Sequence, residues 1–113
     1  MARRETMTFA TLSVLQAISR GYRYGFDIMD VTDLPSGTVY PILGRLDENG
    51  LARSRWEDQE IAHGKKRPPR RYYEVTARGK ERLEEELQRM RALANLSTAD
   101  VPDADTSAVK AEG

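Results

Sequence analysis

Cysteine is absent from this chain of 113 residues, and histidine occurs once, at His63. The first absence removes disulfides, thiol nucleophiles and thiolate metal clusters. The second leaves a single position for the commonest general base and metal ligand. His63 has no second histidine near it, so no metal site is expected. Gly64-Lys65-Lys66 lacks the remainder of a phosphate-binding loop, and no Gly-x-Ser-x-Gly turn occurs. Glu84, Glu85 and Glu86 are consecutive on what reads as an exposed helix and splay apart, so they form no catalytic carboxylate pair. The expectation is a chain with no catalytic activity and no cofactor. Long apolar runs are missing as well: nothing approaches the roughly eighteen residues that a membrane span needs. Met1-Ala2-Arg3-Arg4-Glu5-Thr6 leads straight into an amphipathic stretch without a secretory apolar region, so a cytoplasmic location is expected.

Net charge of one sign is lacking too, since 18 Lys and Arg stand against 18 Asp and Glu. A neutral total argues against affinity for polyanions, but it averages over unequal parts. From Ser97 onward, Asp100, Asp103, Asp105 and Glu112 face only Lys110, which leaves the rest of the chain positive. Within that rest, AHGKKRPPRRY carries Lys65, Lys66, Arg67, Arg70 and Arg71 without an acid. An apolar fraction of 39% over this length is enough for one compact core and too little for two.

The apolar spacing gives the element order. Phe9, Leu12, Leu15 and Ile18 predict a first helix from about Met7 to Ile18 with one buried face, ended by Gly21. A short second helix is expected from about Tyr24 to Val31, burying Phe26, Ile28, Met29 and Val31 and turning Asp27, Asp30 and Asp33 to solvent. Pro35 and Pro41 bracket the start of a third helix, because proline tolerates only a first helical turn; its N-cap is expected among Ser36, Gly37 and Thr38. Val39, Ile42, Leu43 and Leu46 form its core stripe and leave Gly37, Thr38, Tyr40, Pro41, Gly44, Arg45 and Glu48 outside, with Gly50 ending it. Leu51 to Glu57 and Arg70 to Val75 read as strands of a hairpin with a long basic tip. Of Tyr72 and Tyr73, neighbours on opposite strand faces, one is expected in the core. Trp56 is expected to pack its ring on a neighbouring helix.

Thr76 is suited to cap a last helix to about Leu96. Leu83, Leu87, Met90 and Ala94 recur in it at a period near 3.5, the seam of a helix that pairs with another, and Leu93 and Leu96 widen that surface. Three short helices, a hairpin and a long helix make a mainly α fold with a small β-hairpin: a winged helix-turn-helix plus a dimerisation helix. The expected division is a DNA-binding domain over 1–75, the dimerisation helix over 76–96 and a disordered acidic tail over 97–113. A helix buried on one side and small and polar on the other fits the major groove of DNA, with the basic hairpin tip alongside phosphates. Winged helices also serve as protein-interaction adaptors, the alternative reading.

The stretches SGTVYPILGRLDENGLARSRWE and RPPRRYYEVTARGKERL resemble the PadR family of bacterial transcriptional regulators over roughly residues 9 to 95. The resemblance implies a homodimeric winged-helix repressor of a double-stranded DNA operator, often autoregulatory and released by a small effector. It places Gly37, Thr38, Val39, Tyr40 and Pro41 at the opening of the recognition helix, with Arg45 poised for the backbone and Ser36 among the expected DNA contacts. Where the family has His-Gly-Tyr at the second helix this chain has Tyr24-Gly25-Phe26, so a phosphate contact there falls to Tyr24. Lys65, Lys66, Arg67, Arg70 and Arg71 are the expected wing contacts. Phe9, Leu83, Leu87, Met90, Leu93 and Ala94 are the expected dimerisation residues. An effector would enter near Phe9, Trp56, Leu87 or Met90.

Overall fold

The computed structural model describes residues 7–98, so the segment 1–6 and the acidic tail from 99 onward lie outside the described residues. The elements are α1 (Phe9–Ser19), α2 (Gly25–Thr32), α3 (Ser36–Glu48), β1 (Ala52–Trp56), α4 (Gln59–Gly64), β2 (Arg71–Val75) and α5 (Ala77–Thr98). α1, α2 and α3 pack on one another, and an antiparallel hairpin pairs Ala52 with Val75 through to Trp56 with Arg71. This is the winged helix-turn-helix expected from the residue pattern.

Each start and stop has a local cause. Thr8 caps α1 by accepting a hydrogen bond from the Thr11 amide at 3.1 Å. Gly21, at a φ of 103°, lets the chain reverse after that helix. Asp33, in the left-handed region, ends α2. α3 begins earlier than the proline rule predicts: Pro35 is its N-cap, and the Pro35 carbonyl accepts from the Thr38 and Val39 amides. Pro41 therefore lies beyond the first turn, inside the helix, and α3 tolerates the loss of one amide donor to the Gly37 carbonyl.

The core consists of Leu12, Val14, Leu15, Ala17 and Ile18 from α1, Ile28 from α2, and Val39, Ile42, Leu43 and Leu46 from α3. Ala52 and Tyr73 close it from the hairpin, Tyr73 being the buried member of its pair. Phe9, expected on the buried face, is 76% exposed. A helix turns about 100° per residue, so steps of three drift backward and nine residues bring Phe9 to the side opposite Ile18. Phe26 and Val31 are exposed for a related reason: a two-turn helix wedged against α1 and α3 buries one line of residues, here Gly25 and Ile28.

Two compact units divide after Leu83. The first two turns of α5 thus belong with the first unit, eight residues past the boundary after Val75 that the sequence suggests. Gly79 accounts for this, because its missing side chain lets α5 sit directly on the Leu51 carbonyl. Thr76 fixes the approach: its hydroxyl donates to the Gly50 carbonyl at 2.7 Å and accepts from the Gly79 amide at 3.0 Å. Among the described residues no helix is long and apolar enough to cross a membrane.

Candidate nucleic-acid interface

The α2-turn-α3 unit presents one side of α3 outward. Val39, Ile42, Leu43 and Leu46 hold the helix in the core, and Ser36, Gly37, Tyr40, Pro41, Gly44 and Arg45 are exposed, with Thr38 half-buried. A side chain at Gly37 or Gly44 would meet nothing within 4 Å, so neither glycine is required by packing within the described residues. Gly44, in the middle of the helix, weakens it by roughly 0.5–1 kcal/mol relative to alanine. Gly25 differs, because the Tyr40 ring lies directly against it and leans back over the start of α2.

The wing carries a helix that the residue pattern did not predict, α4 between the strands. Its signals were present: Asp58 caps it by accepting from the Glu60 amide at 2.7 Å, and Glu60 lies in the first turn. At six residues it is too short for an apolar period to announce it. It ends with Lys66 in the left-handed region at a φ of 58°, the Lys66 and Arg67 amides donating back to the His63 and Ala62 carbonyls. Lys65 and Lys66 project from this end and are exposed.

The five cations of the segment are therefore not equivalent. Arg67, expected at the tip beside phosphates, is turned inward onto Glu57, to which its guanidinium donates through both terminal nitrogens, the second at 2.9 Å. Glu57 is buried and also accepts from the Arg70 amide at 3.2 Å. The Arg70 guanidinium lies 4.0 Å from the centre of the Tyr24 ring, which is tilted against Tyr72 at 6.1 Å. Tyr24 is thus half-buried at the root of the wing, where the Arg23 carbonyl accepts from the Tyr73 amide. Arg71 donates to the Ser54 hydroxyl at 2.9 Å and lies 3.8 Å from Asp47 of α3, tying the hairpin to α3. Trp56, expected against a helix, is 66% exposed with Arg71 beside its ring. Its strand face emerges stepwise from buried Ala52 through half-buried Ser54, and Trp56 lies past the covered end.

Sequence reasoning missed Glu57 altogether, since nothing in its neighbourhood marks a buried acid. It also missed Arg23 and Arg55, which flank Glu74 on the outer face of the hairpin at 4.0 and 2.9 Å.

The hydrogen bonds from Arg67 hold the Glu57 carboxyl at a pKa of about 2, below its ordinary 4.5, against the opposing effect of burial. A depressed acid stabilises the fold at pH values above the unfolded 4.5, and that contribution disappears as pH falls through about 2. The Glu57 carboxyl resonance is accordingly expected to titrate near pH 2 in NMR spectra, and a midpoint near 4.5 would show that the Arg67 contact does not form in solution.

On α5, Leu83 is buried, Leu87 half-buried, and Met90, Leu93, Ala94 and Leu96 are exposed. Among the described residues no group of three or more His, Asp or Glu side chains is arranged to hold a metal ion.

The family model described as the transcriptional regulator PadR-like family matches residues 14–85. No curated protein matches the chain. Among solved structures, a PadR family transcription regulator from hypervirulent Clostridium difficile is similar with a TM-score of 0.68 at 22% identity, over 79% of this chain and 94% of that one. One from Eggerthella lenta has a TM-score of 0.60 at 24% identity, over 80% of this chain and 82% of that one. Bordetella bronchiseptica BpsR, described for regulation of its DNA binding by 6-hydroxynicotinic acid, has a TM-score of 0.66 at 17% identity over 88% of this chain and 67% of its own.

Proposed function

The chain belongs to the PadR-like family of transcriptional regulators, and we propose that it acts as a homodimeric repressor that binds a two-fold symmetric double-stranded DNA operator. The observation that carries this reading is the outer side of α3, where Gly37 and Gly44 lie exposed in a helix that gains nothing from them internally. A flat helix side suits close approach to the wall and floor of a major groove. Thr38, Tyr40 and Arg45 are the side chains on that helix able to read base edges or position the backbone. Half-sites would lie about one helical turn, roughly 10 bp, or a multiple apart.

The wing supplies phosphate contacts, chiefly through Lys65 and Lys66. Met90, Leu93 and Leu96, apolar and exposed on α5, are the surface for a second copy of the chain. A small effector that releases the operator fits this reading, as BpsR's regulation by 6-hydroxynicotinic acid illustrates for a structural relative.

The test is the salt dependence of binding to duplexes enriched from a random pool. Replacing Lys65 and Lys66 by alanine is expected to weaken operator and unrelated duplex alike. It should also reduce the slope of log affinity against log salt by about four, since a dimer carries two copies of each lysine and each displaced counterion accounts for roughly 0.9. A wild-type chain that enriches no duplex, or an unchanged slope in the variant, would refute the assignment.

A further inference from the structure

Simple electrostatics assigns Glu57 an unfavourable role in a DNA-binding wing: it is an acid placed against Arg67 and Arg70, in the same wing as Lys65 and Lys66. Its surroundings indicate the opposite. Glu57 is the residue that follows β1, and Arg70 is the one that precedes β2; their backbones continue the ladder through a 2.8 Å hydrogen bond from the Glu57 amide to the Arg70 carbonyl. The Glu57 carboxylate then faces into the loop between them. It accepts from both terminal nitrogens of Arg67 and from the Arg70 amide, with the Arg70 side-chain nitrogen 4.0 Å away. One buried side chain thereby closes the whole α4 segment on itself.

The two exposed lysines stand immediately before Arg67. Lys66 has a left-handed backbone that a non-glycine residue adopts only when its surroundings demand it. The bonds that demand it run from the Lys66 and Arg67 amides to α4, and the Arg67 guanidinium anchors the far side. Resting on the DNA-binding reading above, we propose that Glu57 is a positioning residue for operator binding. It holds Arg67 inside the wing so that Lys65 and Lys66 are presented to the DNA backbone, and Arg67 itself contacts no phosphate.

The proposal reverses an electrostatic sign. Glu57→Gln removes a negative charge and releases a cation, so charge alone calls for tighter binding and a steeper salt slope. The positioning role calls for at least tenfold weaker binding and a slope shallower by about four, the same loss as removing both lysines from each protomer. Arg67→Lys separates the roles without altering net charge, because lysine serves as a phosphate contact but cannot reproduce the two-pronged grip on a carboxylate.

The experiment measures fluorescence anisotropy with an enriched duplex at several salt concentrations for Glu57→Gln, Arg67→Lys and the double variant, with circular dichroism to establish folding. Both single variants are expected to show the weakened, shallow-slope binding, and the double variant to be no worse than either. Should Glu57→Gln fail to fold, Arg67→Lys carries the same decision. Undiminished affinity and slope in either folded single variant overturns the proposal while leaving the DNA reading intact. A wild-type chain with no salt-dependent duplex binding overturns both.

Discussion

On the dimeric reading proposed above, replacing Leu93 by glutamate is expected to leave a monomer and to lower operator affinity at least a hundredfold. Leu93 is 58% exposed, and with Met90 and Leu96 it forms an apolar surface on the part of α5 beyond the first compact unit. A carboxylate there remains solvated in the single chain, so circular dichroism should show unchanged helix content. In a helix pair it would be buried without a partner, which no apolar seam tolerates. The loss in affinity is large because a dimer binds its second half-site as an intramolecular event. Linking two such events raises overall affinity by a factor on the order of 10² to 10⁴ without any new contact to DNA. Light scattering reads the oligomeric state directly, and a variant that remains dimeric with unchanged affinity would eliminate this surface as the interface.

Gly79→Ala should lower the melting temperature by about 10 °C, although alanine in place of glycine ordinarily strengthens a helix by up to about 1 kcal/mol. The added carbon would be forced into the Leu51 carbonyl and against Val75. A backbone oxygen cannot rotate away as a side chain can, so α5 must lift from the start of the hairpin. Overpacking of this kind costs about 1–3 kcal/mol, and each kcal/mol moves the midpoint of a domain this size by about 4–8 °C. Gly44→Ala is the matched control: a side chain there meets nothing within 4 Å, and the same substitution should raise the midpoint by a few degrees. In the DNA reading it also places a methyl group between α3 and the groove, so stability and operator affinity should move in opposite directions. Equal shifts in the melting temperatures of the two variants would show that the Leu51 approach is not tight in solution.

Much of the fold was legible residue by residue. Val39, Ile42, Leu43 and Leu46 identified the core side of α3 because their spacing matches one helix packed against one core, and all four are buried. The hairpin was legible to within a residue at each end, and Tyr73 rather than Tyr72 turned inward, as alternation requires of one of them. Pro41 misled as to the start of α3, since a proline marks where a helix is easy to begin and not where a preceding proline already caps it. Phe9 and Phe26 misled for another reason. Hydrophobicity states what a side chain would gain from burial, whereas coverage depends on where neighbouring helices end.

The sequence by itself determined the order of the elements other than α4, the outward side of α3, the basic composition of the wing and the membership of a regulator family. These follow from backbone periods, turn residues and local composition, all of which act within a few positions along the chain. Tertiary structure alone decided which cations are available and which backbones touch. Lys65 and Lys66 face outward while Arg67 is held by Glu57 from across α4, and Gly79 rests on Leu51 at the other end of the hairpin. Such pairings join residues that have no local influence on one another. A run of five cations therefore looks uniform in sequence, and only folding, by bringing a buried carboxylate within reach of one of them, distinguishes the cation that supports the wing from those it presents.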